Sequence, residues 1–164
     1  RRLQATVAFY ESSRAIFSTI KLDELFKIVM ELIQKVLGAD EGSLMLWDKH
    51  HKLYIAASRG LSEEVANETH LAMGERIAGF VAKEKRPLIL IDGLENYPEF
   101  KGVESKRRIQ SSIISPLISQ GELLGVLNMS RTHQRENFTE DDLRVATIFA
   151  SQVALAIQNA QLYE

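Results

Sequence analysis

Ser112-Ile-Ile-Ser-Pro-Leu-Ile-Ser-Gln-Gly-Glu-Leu-Leu-Gly-Val-Leu-Asn-Met-Ser130 is the stretch of this sequence that decides its fold. It predicts two antiparallel strands joined by a tight turn at Gln120-Gly121, because aliphatic and β-branched residues fill both arms and the turn contains glycine. Apolar residues occupy both alternating sets of positions in each arm, so we expect both faces of the sheet to be covered. Pro116 cannot donate a ladder hydrogen bond, and it therefore predicts a local irregularity.

The composition limits the class of protein. The chain has 164 residues, which suits one domain, and a net charge of −2, which provides no basic field for nucleic acid. The absence of cysteine excludes disulfides, thiolate nucleophiles, thiolate metal ligands and thioether-linked chromophores. No apolar run approaches the roughly 18 residues of a membrane span and no signal peptide is visible, so we expect a cytoplasmic protein without direct membrane insertion. Because the sequence lacks an initial methionine, we expect it to be part of a longer chain.

Two helices are predicted at the start of the chain. Residues 1–20 contain no glycine or proline and carry apolar residues at helical spacing. In the second helix Asp23 is the expected N-cap and Gly38 the stop. Its apolar positions follow the i, i+3, i+4 pattern and are Leu25, Ile28, Val29, Leu32, Ile33 and Val36.

Short strands and a short helix are predicted next. The strands are expected at 43–47, 53–58 and 88–91, and the helix within 73–83, after a helical turn at Ser62. Residues 92–108 have no clear period, contain glycine, proline and aromatic residues, and end in a basic run. A loop of this length in a compact domain is usually functional or mobile, so it is the best functional candidate.

A long helix closes the chain, with Thr139 as predicted N-cap and Asp142 as its capping-box partner. It has one apolar stripe for the sheet (Val145, Phe149, Val153, Ala156 and Ala160) and a second that repeats every seven residues. A helix that is apolar on more than one side needs a second partner, and residues 1–20 show the same excess. We therefore expect a homodimer formed by a parallel bundle of the terminal helices. The expected interface residues are Leu3, Val7, Tyr10, Phe17, Ile148, Leu155 and Leu162.

In this order, the elements resemble the GAF domain, a small-molecule-binding and signalling module. The resemblance covers residues 22–164 approximately. It rests on the helix at 25–39 with Asp40-Glu-Gly-Ser-Leu-Met-Leu-Trp-Asp48, the block 77–92, the hairpin, the cap Phe138-Thr-Glu-Asp-Asp142 and the end of the last helix, 156–164. It divides the chain into an N-terminal signalling helix, 1–20, and a GAF domain, 21–164. The last helix resembles those that lead to an output domain, in bacteria often a histidine kinase or a cyclic-di-nucleotide enzyme.

The fold that the resemblance implies is α+β, with a central antiparallel sheet of about six strands. The terminal helices would pack on one face, and a short helix and the long loop would cover a pocket on the other. Strand alternation separates Ser43, Met45 and Trp47 from Leu44 and Leu46, and the set that contains a polar residue is the expected pocket wall. The predicted pocket residues are Ser43, Met45, Trp47, Phe80, Asp92, Tyr97, Phe100, Ser112 and Ile114.

Motifs for catalysis or metal binding are missing from the sequence. Gly74-Glu-Arg-Ile-Ala-Gly79 has the glycine spacing of a phosphate loop, but Phe80 stands where lysine is required. The four histidines are scattered, so we predict no metal site, although haem or iron held by one histidine stays open. Bilin-attaching members of the family need cysteine. Cyclic-nucleotide-binding members carry Asn-Lys near the end of the hairpin and Phe-x-x-x-Asp-Glu after it. This chain has Ser130-Arg131 near the first position and Leu143 in place of the last acid of the second motif. We therefore expect no cyclic nucleotide.

The leading hypothesis is a non-enzymatic sensory domain of a bacterial signalling protein, such as a two-component sensor. A ligand, itself not identified by the sequence, would shift the packing of the terminal helices in a homodimer and so regulate an output domain. A second hypothesis is a structural dimerisation module whose pocket is filled by its own large side chains. An enzyme and a PAS-like domain are the remaining alternatives, and the long terminal helices favour GAF over PAS.

Overall fold

The predicted hairpin is the centre of one antiparallel sheet in the computed structural model, which describes residues 21–91, 109–132 and 136–162, apart from the side chain of Leu162. The helices are α1 (Leu22–Leu37), α2 (Glu63–Glu68), α3 (Arg76–Glu84) and α4 (Glu140–Leu162). The strands are β1 (Glu41–Trp47), β2 (Leu53–Arg59), β3 (His70–Leu71), β4 (Leu88–Ile91), β5 (Ile109–Ser119) and β6 (Glu122–Thr132).

The six described strands form a sheet in the order β3-β2-β1-β6-β5-β4. Gln120 and Gly121 connect β5 to β6 with φ angles of 53° and 79°, which is the two-residue turn with left-handed backbone that suits a twisted hairpin. Pro116 pairs in register with Val126, and the nearer of the two irregularities in this pairing lies one residue later, between Leu117 and Ile118. Because β4 pairs only with residues 111–114 of β5, proline occupies a part of the strand that has one open side.

Helices α1 and α4 pack together on one face of the sheet and form the larger of two described apolar cores. α1 contributes Leu25, Val29 and Ile33, and α4 contributes Phe149 and Val153, all at most 1% exposed. Leu44, Leu46, Ile113, Leu117, Leu127 and Met129 point into this core from the sheet. The expected α+β architecture, with helices on this face, is therefore confirmed.

Helix α3 covers the opposite face and forms the second apolar core. Its residues Ala78, Val81 and Ala82 are buried against the sheet. From the strands this core receives Met45, Leu53, Leu90, Ile114 and Val126. Both faces of the sheet are covered, as the two-sided apolar pattern of the hairpin predicted.

One local prediction was wrong, and one short strand was missed. Lys21, rather than Asp23, is the N-cap of α1, and Asp23 instead lies in the first turn, where a carboxylate interacts favourably with the helix dipole. The two-residue strand β3 was not predicted, since a run of two residues carries no periodic signal. Within the described ranges, none of the helices has the length and apolar character needed to cross a membrane.

Candidate functional site: a polar patch on the covered sheet face

A patch of neutral polar side chains interrupts the apolar face under α3. The Asn128 amide nitrogen donates to Ser43 Oγ at 3.0 Å and lies 3.3 Å from Met45 Sδ. The hydroxyl oxygens of Ser112 and Ser130 are 2.9 Å apart. Ser43 and Ser112 are 5% and 8% exposed, whereas Asn128 and Ser130 are half-buried. We call Ser43, Ser112, Asn128 and Ser130 the polar patch.

Strand pairing brings the polar patch together from three strands. Asn128 of β6 pairs with Ser43 of β1 on one side and with Ile114 of β5 on the other, and Ser130 pairs with Ser112. Paired residues of an antiparallel sheet project to the same face, so the patch is continuous across the sheet. Apolar residues of the second core, Met45, Ile114, Val126 and Leu90, adjoin it.

The patch also lies where the chain leaves and re-enters the sheet around residues 92–108. Ile91, the last residue of β4, pairs with Ser111, and Ile109, the first of β5, pairs with Thr132. Both ends of the intervening segment are therefore anchored beside Ser112 and Ser130. The predicted pocket residues Asp92, Tyr97 and Phe100 fall within that segment and lie outside the described residues.

The described members of the predicted pocket set share this face. Met45 and Ile114 are buried in the second core, and Trp47 and Phe80 pack against it, while Leu44 and Leu46 lie in the other core as alternation predicted. The Trp47 indole nitrogen donates to the carbonyl oxygen of Leu123 at 3.2 Å. Their role in holding a ligand stays a prediction. Sequence reasoning did not identify Asn128, whose signal was a lone amide at an inward position of an otherwise apolar strand.

Arg131 follows the patch in β6 and extends to the opposite, helix-covered side. Its guanidinium donates to the carbonyl oxygens of Leu37 at 2.7 Å and Glu136 at 3.1 Å, and it lies 4.2 Å from the ring centroid of Phe138. Its Nε atom is buried and makes no hydrogen bond to any of the described residues. This one side chain thus joins the end of α1, the end of β6 and the approach to α4.

An open groove lies between α1 and β2, on the helix side of the sheet. It was not predicted from the sequence, and its lining residues are Asp23, Phe26, Lys27, Met30, Glu31, Ala56, Ala57, Ser58 and Arg59. Charges of alternating sign recur every four residues along α1, a pattern typical of a solvated helix surface.

The turn between β1 and β2 holds a carboxyl group, that of Asp48, whose pKa is lowered. The backbone N–H of Lys52, 3.0 Å from Asp48 Oδ1, is the first cause that holds the pKa of Asp48 below its ordinary value. The backbone N–H of His50 and the His70 imidazole act in the same direction, while burial opposes them. These contacts fix a turn, and the described residues contain no cluster suited to a metal ion.

The predicted dimer residues on α4 lie at the border of its buried face. Ile148 is half-buried and Leu155 is 40% exposed, whereas only the backbone of Leu162 is described. Leu3, Val7, Tyr10 and Phe17 fall outside the described residues. The predicted interface itself is not tested by a single chain.

Comparison with known proteins places the chain in a family. The sequence model of the GAF domain matches residues 19–158. The chain is 30% identical over 165 residues to the probable 3′,5′-cyclic phosphodiesterase pde-5 of Caenorhabditis elegans, covering 93% of this chain and 22% of that protein. It is 24% identical over 162 residues to the nitrogen fixation protein AnfA of Azotobacter vinelandii, covering 96% of this chain and 30% of that protein. The chain thus spans less than a third of either relative.

The fold is shared with solved GAF domains. The GAF domain of a phosphoenolpyruvate-protein phosphotransferase from Coxiella burnetii superposes with a TM-score of 0.79 at 24% identity, over 96% of this chain and 95% of that one. Together, the match over residues 19–158 and the six-stranded sheet between helical layers show that this chain belongs to the GAF domain family, whose members are regulatory sensory modules.

Proposed function

We propose that this GAF domain is a non-catalytic sensor that binds a small molecule at the polar patch and dimerises through its terminal helices. In this proposal it controls an attached output domain, a histidine kinase or a cyclic-di-nucleotide enzyme. The observation that carries the proposal is the group of neutral polar side chains set into a covered and otherwise apolar sheet face. Sites for small molecules are typically lined by apolar side chains with a few placed polar groups, and this face of the sheet has that composition.

The patch retains hydrogen-bonding capacity that a ligand can use. Each serine hydroxyl offers one donor and two acceptor positions, and the Asn128 amide offers two donors and an acceptor. The contacts of Asn128 within the patch use its amide nitrogen, and within the described residues the Asn128 oxygen accepts no hydrogen bond. Asn128 is half-buried, so a bound molecule with a donor and an apolar part would bond to its oxygen while covering the apolar side chains around it.

Alternation along β6 supports a route from the patch to the helices. Asn128 and Ser130 belong to the patch, whereas Met129 points into the helical core and Arg131 bonds to the end of α1. A ligand that displaces β6 by a small amount therefore moves both sets of contacts together. Regulation also requires that the ligand bind two arrangements of the helices with different affinity.

A structural dimerisation module remains the second candidate, and a specific observation favours it. Met45 is 2% exposed, and Trp47 and Phe80 pack against the second core beside it. These large side chains occupy space under α3 that a ligand would otherwise fill. In this alternative the side chains of the polar patch hydrogen bond to each other, and the domain acts through dimerisation alone.

The test is a native mass spectrum of freshly purified protein, compared with the variants Asn128→Leu and Gln158→Leu. Gln158 is a matched control because it is also a half-buried amide that hydrogen bonds to a serine, Ser119, on the opposite side of the sheet. We expect a dimer with a reproducible small-molecule adduct that Asn128→Leu loses and Gln158→Leu keeps. A bare dimer in all three proteins would reject the ligand and favour the structural module, and a bare monomer would reject dimerisation too.

Cyclic GMP and cyclic AMP serve as named negative probes in the same experiment. Arg131 takes the place of the family's nucleotide-associated lysine, and its guanidinium is engaged by the carbonyl oxygens of Leu37 and Glu136. We therefore expect neither nucleotide to add mass or raise the melting temperature. A saturable shift with either one would overturn this part of the proposal.

A further inference from the structure

The open groove between α1 and β2 has a volume of about 650 Å³. This size falls within the roughly 300–1,000 Å³ of typical small-molecule sites. The floor of the groove is apolar: Met30 is buried, and Phe26, Ala56 and Ala57 are half-buried. These four residues belong to or pack against the helical core, so the groove is separate from the polar patch on the other face of the sheet. We call it the α1–β2 groove.

A bulge in β2 builds the floor of the α1–β2 groove. Leu44 of β1 pairs with Ala57, and Met45 pairs with Ile55. Ala56 is therefore an extra residue in β2. As a result the neighbours Ala56 and Ala57 both pack against the helical core, whereas regular alternation would place them on opposite faces. Their methyl groups leave space beside α1 that larger side chains would fill. Bulges are over-represented next to active sites, where they redirect side chains in this way.

The rim of the groove carries two carboxylates and two cations. Asp23, Lys27 and Glu31 follow one another along α1 at intervals of four residues, which is about 6 Å in a helix, and Arg59 lies on the β2 side. All four residues are exposed, and none of them forms an ion pair with another described residue. Both signs of charge are therefore available to a molecule in the groove.

Charge complementarity defines the class of that molecule. A ligand with a single charge is attracted by two rim groups and repelled by the other two. A zwitterion instead pairs each of its charges with an opposite one, its carboxylate with Lys27 or Arg59 and its ammonium group with Asp23 or Glu31. In a free α-amino acid both charged groups are bonded to one carbon atom, so they can reach neighbouring positions of the rim. The side chain on the same carbon can then cover the apolar floor.

We propose that the α1–β2 groove binds a free α-amino acid with an apolar side chain. This site is independent of the polar patch and of dimerisation. The ligand bridges α1 and β2, because its charged groups contact the rim and its side chain covers Phe26 and Met30. Ion pairs between exposed groups are individually weak, so the groove responds to millimolar concentrations of ligand. A ligand that binds only the folded chain also raises its melting temperature as the ligand concentration rises.

The probe for this site is L-leucine, titrated into the whole chain and followed by the NMR signals of the backbone amides and by the melting temperature. Isocaproate keeps only the carboxylate of leucine, isoamylamine keeps only its amine, and glycine keeps both charges without the side chain. We expect saturable shifts at Phe26, Ala56 and Ala57 with L-leucine, and at least several-fold weaker binding of the other three compounds. Equal binding of the four would overturn the proposal. Shifts centred on Ser43 and Asn128 would also overturn it, and would place the ligand at the polar patch.

The charged rim is tested with Lys27→Gln, and Lys35→Gln is the matched control because Lys35 is an exposed lysine of α1 that does not line the groove. Lys27→Gln should weaken L-leucine binding several-fold and strengthen that of isoamylamine, since the rim then has a net negative charge. Lys35→Gln should change neither, and equal effects of the two variants would contradict the proposal. Both changes are at the surface, so the fold is retained.

A second copy of the chain is the competing occupant of the groove. The sequence has no cysteine, so Ala57→Cys introduces a single thiol into the floor. A disulfide-linked pair under mild oxidation would show that another chain enters the groove, and it would overturn the proposal. We expect the thiol to stay unlinked and L-leucine to slow its reaction with a soluble alkylating reagent several-fold. An alkylation rate that L-leucine leaves unchanged would reject the site.

Discussion

Gly125 sets the spacing between the two central strands. A Cβ atom at this position would overlap the carbonyl oxygen of Met45, a backbone atom of the neighbouring strand. We predict that Gly125→Ala lowers the free energy of unfolding by about 3 kcal/mol, because overpacking of rigid backbone cannot relax. In Gly42→Ala the new atom meets the terminal methyl of Ile33, which can rotate, so the loss should be clearly smaller. Urea denaturation measures both, and equal losses would contradict the explanation.

The shape of the Arg131 side chain matters more for stability than its charge. Its planar guanidinium bridges the carbonyl oxygens of Leu37 and Glu136, and a lysine ammonium lacks the fork needed to hold both. Arg131→Lys should therefore cost about 2 kcal/mol of stability, in the range for hydrogen bonds to charged groups. Arg144→Lys is the control, since Arg144 is exposed and pairs with Asp141 on the helix surface. Its effect should stay below about 0.5 kcal/mol, and a comparable loss in both variants would refute the argument.

At the scale of elements, the start of α4 depends on a reciprocal cap. The backbone N–H of Asp142 donates to Thr139 Oγ1 at 3.2 Å, and the backbone N–H of Thr139 donates to Asp142 Oδ2 at 2.8 Å. Thr139→Ala should lower the free energy of unfolding by about 1 kcal/mol. Thr147→Ala removes a hydroxyl that bonds within the helix, to Leu143, and should be nearly neutral. Thermal denaturation compares the stabilities of the two variants, and no loss of stability in Thr139→Ala would show that the cap does not stabilise the fold.

The β1–β2 turn should be sensitive to acid. The pKa of Asp48 is lowered in the folded protein, so its contribution is present above the unfolded-state pKa and is lost as pH falls through the folded one. The stability difference between the wild type and Asp48→Asn should be largest above about pH 5 and shrink below about pH 4. Glu136→Gln removes the same charge from an exposed position outside the helices and strands and controls for net charge. A pH-independent difference would contradict the assignment.

How far the sequence predicts each element follows from its length and period. The hairpin, α1 and the cap of α4 were predicted because turn glycines, helical spacing and a capping pair are local signals. The two residues of β3 are too few to show a period. Helix α3 begins at Arg76, which has a φ of 55°, and the residue type does not predict this value because a positive φ is uncommon for arginine. The polar patch was only half predicted, since Ser43 and Ser112 follow from alternation. The pairing of Asn128 with Ser43 depends on strand order, which no single strand specifies.

At the scale of the whole molecule, one sheet serves two cores. β6 places Leu127 in the helical core and Val126 in the core under α3, and both are fully buried. Because both cores pack on the same sheet, disruption of the sheet would expose both of them, so unfolding should be cooperative. Trp47 is the single tryptophan and lies on the α3 side, whereas far-ultraviolet circular dichroism reports mainly α1 and α4. We predict that the two signals give the same urea midpoint.

Leu127→Ala extends this prediction. It should lower the midpoint of both signals equally, with a loss of about 2–5 kcal/mol for a buried leucine, although Trp47 lies on the other face. Separate midpoints for the two signals would show that the α3 side unfolds as an independent unit.

The anchoring of residues 92–108 at both ends has an evolutionary consequence. Ile91 and Ile109 are held by ladder pairs with Ser111 and Thr132, so the sheet closes without help from the chain between them. Doubling the length of such a connection costs only about 0.6 kcal/mol of closure entropy. Insertions, deletions and substitutions can accumulate there while the two cores stay unchanged. Selection can then change the side chains of this connection while the framework of the two cores is inherited unchanged, as happens with the hypervariable loops of an antibody.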